Sequence, residues 1–252
     1  MTGRLETVHL AKRTLDDPDS LRGAAERIMS GRCVLFDFDG PLCRLFPDGL
    51  SEYLADDLRE IVAAYDATDL LSPGVIVSTD PQDVLRAVDL KSPGSELLVE
   101  LEARLVEGET AAAESAPPTE GTADLVRRLF DAEVRIAVTT NNSPEAVSTY
   151  LWREDLKGLY DLFAGHIYGR TDNPKFLKPH PDCLHRALDG LGVTPAEALM
   201  FGDTPTDLAA AQEAGVEFVG YVRDEDEAKV MWEAGATVVL SRFSAISAMI
   251  SW

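Results

Sequence analysis

Cys33-Val34-Leu35-Phe36-Asp37-Phe38-Asp39-Gly40 is an apolar run that ends in two carboxylates spaced two residues apart, followed by a glycine. The four apolar residues read as a strand buried on both faces, the kind a parallel sheet contains. Residues i and i+2 of a strand point the same way, so if extension persists through Phe38, Asp37 and Asp39 face one site while Phe38 packs behind them. Gly40 then permits a turn that a larger residue resists. This is the geometry of a carboxylate nucleophile with a second acid beside it. A solvated strand end also carries carboxylates, so the rest of the chain has to decide.

Upstream, Asp19-Ser20 can cap a helix of some ten residues that ends near Gly31 and leads into the strand ending at Asp37, after an irregular start. Downstream, residues 41 to 50 hold two prolines and a glycine and read as a loop. From Ser51 the spacing of Leu54, Leu58, Ile61, Val62 and Tyr65 predicts a helix, and two more follow over 81–90 and 95–113, separated by the turn Lys91-Ser92-Pro93-Gly94. Pro117-Pro118 closes this all-helical block. Beyond it, helices alternate with short β-branched runs. Helices are expected over about 120–132, 144–152, 181–191, 205–214 and 225–234, with a short one opened by Thr194-Pro195 and a terminal one. Strands are expected over 134–140, near Ile167, and over 198–201, 217–222 and 237–240. This alternation predicts an α/β fold, a doubly wound parallel sheet, with residues 46–118 inserted as an all-helical domain between core segments 1–45 and 119–252. No internal repeat is evident.

Composition narrows the function. The 252 residues, 45% of them hydrophobic, suffice for a sizeable core. A formal charge of −21, from 23 Lys plus Arg against 44 Asp plus Glu, opposes association with nucleic acid or anionic membranes and favours a small diffusible substrate. If that substrate is itself an anion, the site must supply local positive charge, and a divalent cation is the usual means. Cys33, Cys43 and Cys183 form no CxxC pair and no metal-ligand spacing, which suits a reducing cytoplasm. His9, His166, His180 and His185 form no metal-ligand grouping and read as surface or capping residues. The start Met1-Thr2-Gly3-Arg4 opens no continuous apolar stretch, and no later run is long enough to span a bilayer, so a soluble protein is expected.

Three further stretches answer the first. Phe201-Gly202-Asp203-Thr204-Pro205-Thr206-Asp207 again puts carboxylates after an apolar strand, with Pro205 suited to the first turn of a helix. Four residues make about one helical turn, so Asp207 can lie over the strand end that displays Asp203. An Asp before a helix also serves as a plain cap. Parallel α/β sheets gather ligands at the carboxyl ends of their strands, where Asp37, Asp39, Asp203 and Asp207 would meet. Such a cluster is either partly protonated or holds a metal, and oxygen ligands suit Mg²⁺. Val138-Thr139-Thr140-Asn141-Asn142 ends another apolar strand with hydroxyl and amide donors, and Leu177-Lys178-Pro179 offers a lysine, which if isolated reads as a solvated surface residue.

In this order, these four elements resemble the motifs of the haloacid dehalogenase superfamily, specifically its phosphatase branch with a helical cap inserted after the first motif, similar to phosphoglycolate phosphatase-like proteins. Asp37-Phe38-Asp39 matches the first motif, Thr140 the second, Lys178 the third and Gly202 through Asp207 the fourth. Thr139 replaces Thr140 if the strand register slips, and Lys175 competes with Lys178.

The resemblance implies a Mg²⁺-dependent phosphatase that hydrolyses a small phosphorylated metabolite through an aspartyl-phosphate. Asp37 would attack phosphorus. Asp39 would protonate the leaving group and then activate water, with its main-chain carbonyl facing the metal. Gly40, Thr140, Asn141 and Lys178 would bind the phosphoryl group. Asp203 would ligate the ion, and Asp207 would either ligate through water or orient the shell. The insertion would form the cap, hinged at Phe46-Pro47-Asp48-Gly49 and Ala116-Pro117-Pro118, its cations Arg59, Arg86, Lys91 and Arg104 either contacting an anionic substrate or, more commonly on helices, pairing with neighbouring acids. The alternatives are a phosphomutase on the same scaffold, a metal-independent 2-haloacid dehalogenase, against which Asp39 counts, and a non-catalytic binding protein.

Overall fold

The computed structural model describes residues 14–163 and 165–250, Asp48 by its backbone only. The expected irregular opening through residue 13, with His9, lies outside them. Among the described residues six strands, β1 (Cys33–Phe36), β2 (Arg135–Thr139), β3 (Ile167–Tyr168), β4 (Ala198–Gly202), β5 (Glu217–Tyr221) and β6 (Val239–Leu240), form one parallel sheet in the order β3-β2-β1-β4-β5-β6. The chain winds from β1 outward to β3, then returns to the other side of β1 and winds out to β6. Ligands in such sheets sit outside the carboxyl ends of the strands where the winding reverses, here at β1, β2 and β4.

The first apolar run occupies the centre. Phe36 stands opposite Val138 on one side and Phe201 on the other, so Asp37, Thr139 and Gly202 lie at one level. The strand assignment stops at Phe36, one residue short of the expected end, but Asp37 N still donates to Phe201 O at 2.8 Å. Side chains along β1 alternate between two cores. Val34 and Phe36 pack with α1 (Pro18–Ser30), and Leu35 packs on the opposite face.

Four helices lie between β1 and the next segment of the core: α2 (Leu50–Ala64), α3 (Pro73–Ile76), α4 (Pro81–Lys91) and α5 (Glu96–Ala113). Leu54, Leu58, Val84, Leu85, Leu101 and Leu105 from α2, α4 and α5 make a third hydrophobic cluster of their own. The remaining helices are α6 (Thr122–Asp131), α7 (Pro144–Leu151), α8 (Leu159–Phe163), α9 (Asp182–Leu191), α10 (Pro205–Ala214), α11 (Glu225–Ala234) and α12 (Phe243–Ser247). The helices α6, α7, α8 and α12 share the face of the sheet that α1 covers, and α9, α10 and α11 cover the other.

Two local readings are corrected. The cap of α1 is Asp17, whose carboxylate accepts from Ser20 N at 2.9 Å, because Pro18 takes the first helical position that its fixed φ favours. Residues 41–50 are more ordered than a plain loop. Cys43 bridges Asp39 and Pro118, Arg44 N donates to Pro117 O at 2.9 Å, and a 3₁₀ turn spans Pro47–Gly49. The chain entering the helical block therefore runs beside the chain leaving it. No helix among the described residues is long and apolar enough to cross a membrane.

Candidate active site

Asp37 follows β1, Asp203 follows β4 and Asp207 opens α10, and one carboxylate oxygen of each lies within 4.8 Å of the others. The close approach of the two strand ends requires Gly40. Its φ is +108°, and a Cβ there would run into the Asp203 carboxylate. Asp203 Oδ1 is buried with no hydrogen-bond partner. Asp207 is both cap and cluster member. Its Oδ2 accepts from Asp203 N at 3.1 Å, Thr204 N at 3.0 Å and Thr204 Oγ1 at 2.7 Å, while Oδ1 pairs with Lys178 at 2.5 Å.

Lys178 is buried against two of these acids, Asp37 and Asp207. Its Nζ donates to Asp37 Oδ1 at 2.7 Å and to Thr139 O at 3.0 Å. Lys175 is exposed and lines a different cavity with Pro174, Leu177 and Pro179. Of the two threonines, Thr140 lines the cavity that holds Asp37 and Lys178. Thr139 follows the opposite sense of the strand, and its hydroxyl is buried without a partner. Asn141 ties two of these elements together, because its Oδ1 accepts from Lys178 N at 2.7 Å and its Nδ2 donates to Lys178 O at 3.3 Å. Asp39 lines the same cavity, and its Oδ1 accepts from Leu45 N at 2.7 Å. The Asp39 carboxylate stands outside the three-acid group.

Electrostatics follow from burial. Desolvation pushes the Asp37 carboxyl up to about 7, against the pull of Lys178 and with a further push from Asp207. Burial likewise lifts Asp39 to about 6, opposed chiefly by the Leu45 amide. Asp203 is driven well above the carboxylate range by burial, then by Asp207 and Asp37. Burial favours the neutral form of Lys178, yet Asp207 and Asp37 together outweigh it and hold the ammonium above the usual lysine range. Among the described residues Lys178 thus pairs with two of the three crowded acids, and the third, Asp203, has a buried oxygen, Oδ1, without a hydrogen-bond partner. Hard oxygen donors in this arrangement fit a divalent cation such as Mg²⁺.

The cavity measures about 380 Å³ and suits a small molecule. Its far wall belongs to the helical block, through Phe46, Ser51, Thr79, Gln82 and Arg86. Arg86 was expected either to contact an anionic substrate or, more commonly on a helix, to pair with a neighbouring acid. It does meet Asp83 at 3.1 Å, but it also donates to Lys178 O at 3.1 Å, and Gln82 donates to Asn141 O at 3.4 Å. Arg59 and Arg104 pair with Asp56 and Asp57 as expected, and Lys91 donates to Asp69 O. His180 Nδ1 accepts from Asp182 N, a capping contact.

Sequence reasoning missed Glu109 and Arg170, which lie directly behind the Thr140-Asn141-Asn142 segment. One signal was available. Leu101, Leu105, Glu109 and Ala113 succeed one another at four-residue spacing, so Glu109 is an acid on the buried stripe of α5.

Residues 32–215 match the model of a family described as haloacid dehalogenase-like hydrolase. A phosphoglycolate phosphatase of Rhodospirillum rubrum is 34% identical over 205 residues, 77% of this chain and 82% of that protein. The protein CbbY of Rhodobacter capsulatus is 32% identical over 116 residues, 44% of this chain, and that match spans only 50% of the relative's own length. The crystal structure of CbbY from Rhodobacter sphaeroides in complex with phosphate shares the fold, with a TM-score of 0.61 at 22% identity over 85% of this chain and 95% of that one. With its family model covering most of the core and its acids gathered at the ends of β1 and β4, the chain belongs to the haloacid dehalogenase-like hydrolases.

Proposed function

We propose that the protein is a Mg²⁺-dependent phosphatase that hydrolyses a small phosphomonoester through a phosphoryl group carried on Asp37. The observation that carries this reading is the meeting of Asp37, Asp203 and Asp207 beyond the ends of β1 and β4, with Lys178 paired to Asp37 and Asp207. Asp37 and Asp203 would hold the ion by carboxylate oxygens and Asp39 by its main-chain carbonyl. Asp207, whose Oδ2 is spent on the 203–204 amides and the Thr204 hydroxyl, keeps Asp203 and Lys178 in place. When bound, the ion supplies positive charge that lets an anionic carboxylate approach an anionic phosphoryl group.

The chain's own groups then divide the work. Asp37 is the nucleophile: its carboxylate oxygen bonds to phosphorus as the ester oxygen leaves. Asp39, with its carboxyl lifted to about 6 by burial, can give a proton to that oxygen and afterwards take one from the hydrolytic water. Lys178, the amides around Gly40 and Asn141, and the Thr140 hydroxyl, which would turn its one proton from Asn142 Oδ1 to the ligand, bind the oxygens of the transferring group. Helices α2 to α5 act as the cap, residues 46–118, and their wall over the cavity selects the leaving group and excludes water. The relatives named phosphoglycolate phosphatase support hydrolysis over phosphoryl return to a sugar. The acidic surface and three buried thiols suit a cytoplasmic enzyme of small metabolites. The test is a panel of phosphorylated metabolites with and without Mg²⁺, with a 2-haloacid as control. Metal-dependent phosphate release supports the reading, and halide release without metal, or no turnover at all, refutes it.

A further inference from the structure

Glu109 lies outside the machinery assigned above, yet it is fully buried beneath it. Both of its oxygens are in use. Oε1 accepts from Arg170 NH1 at 2.8 Å and from Asn142 Nδ2 at 3.0 Å, and Oε2 accepts from Arg170 NH2 at 3.1 Å and from Ser143 N at 2.9 Å. The Arg170 guanidinium is equally enclosed. Its NH1 also donates to Asn141 O at 2.7 Å, and its Nε donates to Glu102 at 2.7 Å. An acid of the helical block thus reaches under the turn that follows β2.

Two lines of contact run from this pair to phosphoryl-binding groups. With Nδ2 committed to Glu109, the Asn142 amide must turn Oδ1 the other way, where it accepts from the Thr140 hydroxyl at 3.0 Å, and Asn142 N donates to Thr140 Oγ1 at 3.1 Å. The opposite flip would set an amide oxygen against the Glu109 carboxylate. The second line passes through Asn141. Arg170 holds its carbonyl, and its side chain accepts from Lys178 N at 2.7 Å. A buried ion pair adds little net stability over apolar residues of similar volume, but it orients what it bonds.

We propose that Glu109 and Arg170 are positioning residues: they set the orientation of the 140–142 segment and of Lys178, so the phosphoryl-binding groups of the core are ordered by a carboxylate from the cap. The inference rests on the phosphatase reading for the identity of the ligand. Its test compares wild type, Glu109→Gln and Asn142→Ser, each at a temperature where circular dichroism shows it folded. Two quantities are measured: binding of inorganic phosphate in the presence of Mg²⁺ by calorimetry, and turnover of p-nitrophenyl phosphate. Glu109→Gln is expected to raise the phosphate Kd and lower kcat, each about tenfold or more, because small misplacements of binding groups cost large factors. The Mg²⁺ concentration for half-activation stays within about twofold, since Glu109 touches none of the three clustered acids.

A merely structural pair would lower the melting temperature and leave Kd and kcat of the folded variant at wild-type values. That result overturns the inference. If Glu109→Gln does not fold, Asn142→Ser decides by the same readouts, because it cuts the side-chain link from Glu109 to Thr140, leaving only the main-chain contact of residue 142, and keeps the ion pair intact. Failure of wild type to turn over p-nitrophenyl phosphate counts against the phosphatase reading alone, and the phosphate-binding comparison still decides here. A wild type that binds no phosphate overturns both.

Discussion

Replacing Lys178 by methionine keeps most of its stem and removes its charge, and the structure says what is lost. The ammonium is 2.7 Å from Asp37, 2.5 Å from Asp207 and 3.0 Å from Thr139 O, and the residue is 2% exposed. Removing one partner of a buried, hydrogen-bonded charge pair costs about 3–5 kcal/mol, because the other charge is left uncompensated. For a chain of this length each kcal/mol moves the melting temperature by about 2–4 °C, so the variant should melt about 6–20 °C below wild type in EDTA. Saturating Mg²⁺ should return part of that loss, about 2.7 kcal/mol at a hundredfold excess over its dissociation constant. Turnover should fall about 10²–10³-fold even where the variant is folded, as for loss of one donor to a developing oxyanion. The assay is thermal melting with and without Mg²⁺, alongside p-nitrophenyl phosphate turnover, with Lys175→Met as control. A Lys178→Met melting point within 2 °C or so of wild type in EDTA would refute the claim that this lysine compensates the acid cluster, as would an equal loss in Lys175→Met.

The two threonines at the end of β2 should separate cleanly. Thr139→Val removes a buried hydroxyl that has no partner and should leave turnover unchanged and stability equal or higher by up to about 1 kcal/mol. Thr140→Val should lower kcat by about 10²-fold, and equal effects on kcat from the two would contradict the side of the strand assigned to each. Gly40→Ala should cost about 1–3 kcal/mol from the positive φ alone. It should also weaken Mg²⁺ binding, because the new methyl group displaces the Asp203 carboxylate. Metal titration of the variant checks it, and an unchanged affinity would break the link between Gly40 and the site.

What was legible in the sequence was whatever a local pattern encodes. Cys33 to Phe36 announced a central strand because only a strand covered on both faces tolerates four apolar residues in a row, and the period of two then set Asp37 beyond it. The choice between Thr139 and Thr140 was not local. Alternation says that they face opposite ways, but only the pairing of Phe36 with Val138 and of Thr139 with Tyr168 says which of them looks toward Asp37. The Asp17 cap was missed because Asp19 and Ser20 offer the same chemistry two residues on, and the proline that decides between them acts through φ. Glu109 and Arg170 were invisible for a different reason. They are far apart in sequence and each is an ordinary charged residue, so their pairing is a property of how α5 seats on the turn after β2. The position of Glu109 on an apolar stripe was the single local trace of it.

The central claim is that Asp37 carries the phosphoryl group, and its most direct test is to catch it there. Protein mixed with excess p-nitrophenyl phosphate and Mg²⁺, quenched in acid within the first turnovers and digested, should yield a peptide containing Asp37 with the added mass of one phosphoryl group. The same peptide from the Asp37→Asn variant, folded but inert, should carry none. Full turnover by Asp37→Asn, or a phosphoryl group trapped on any other residue, would contradict the account.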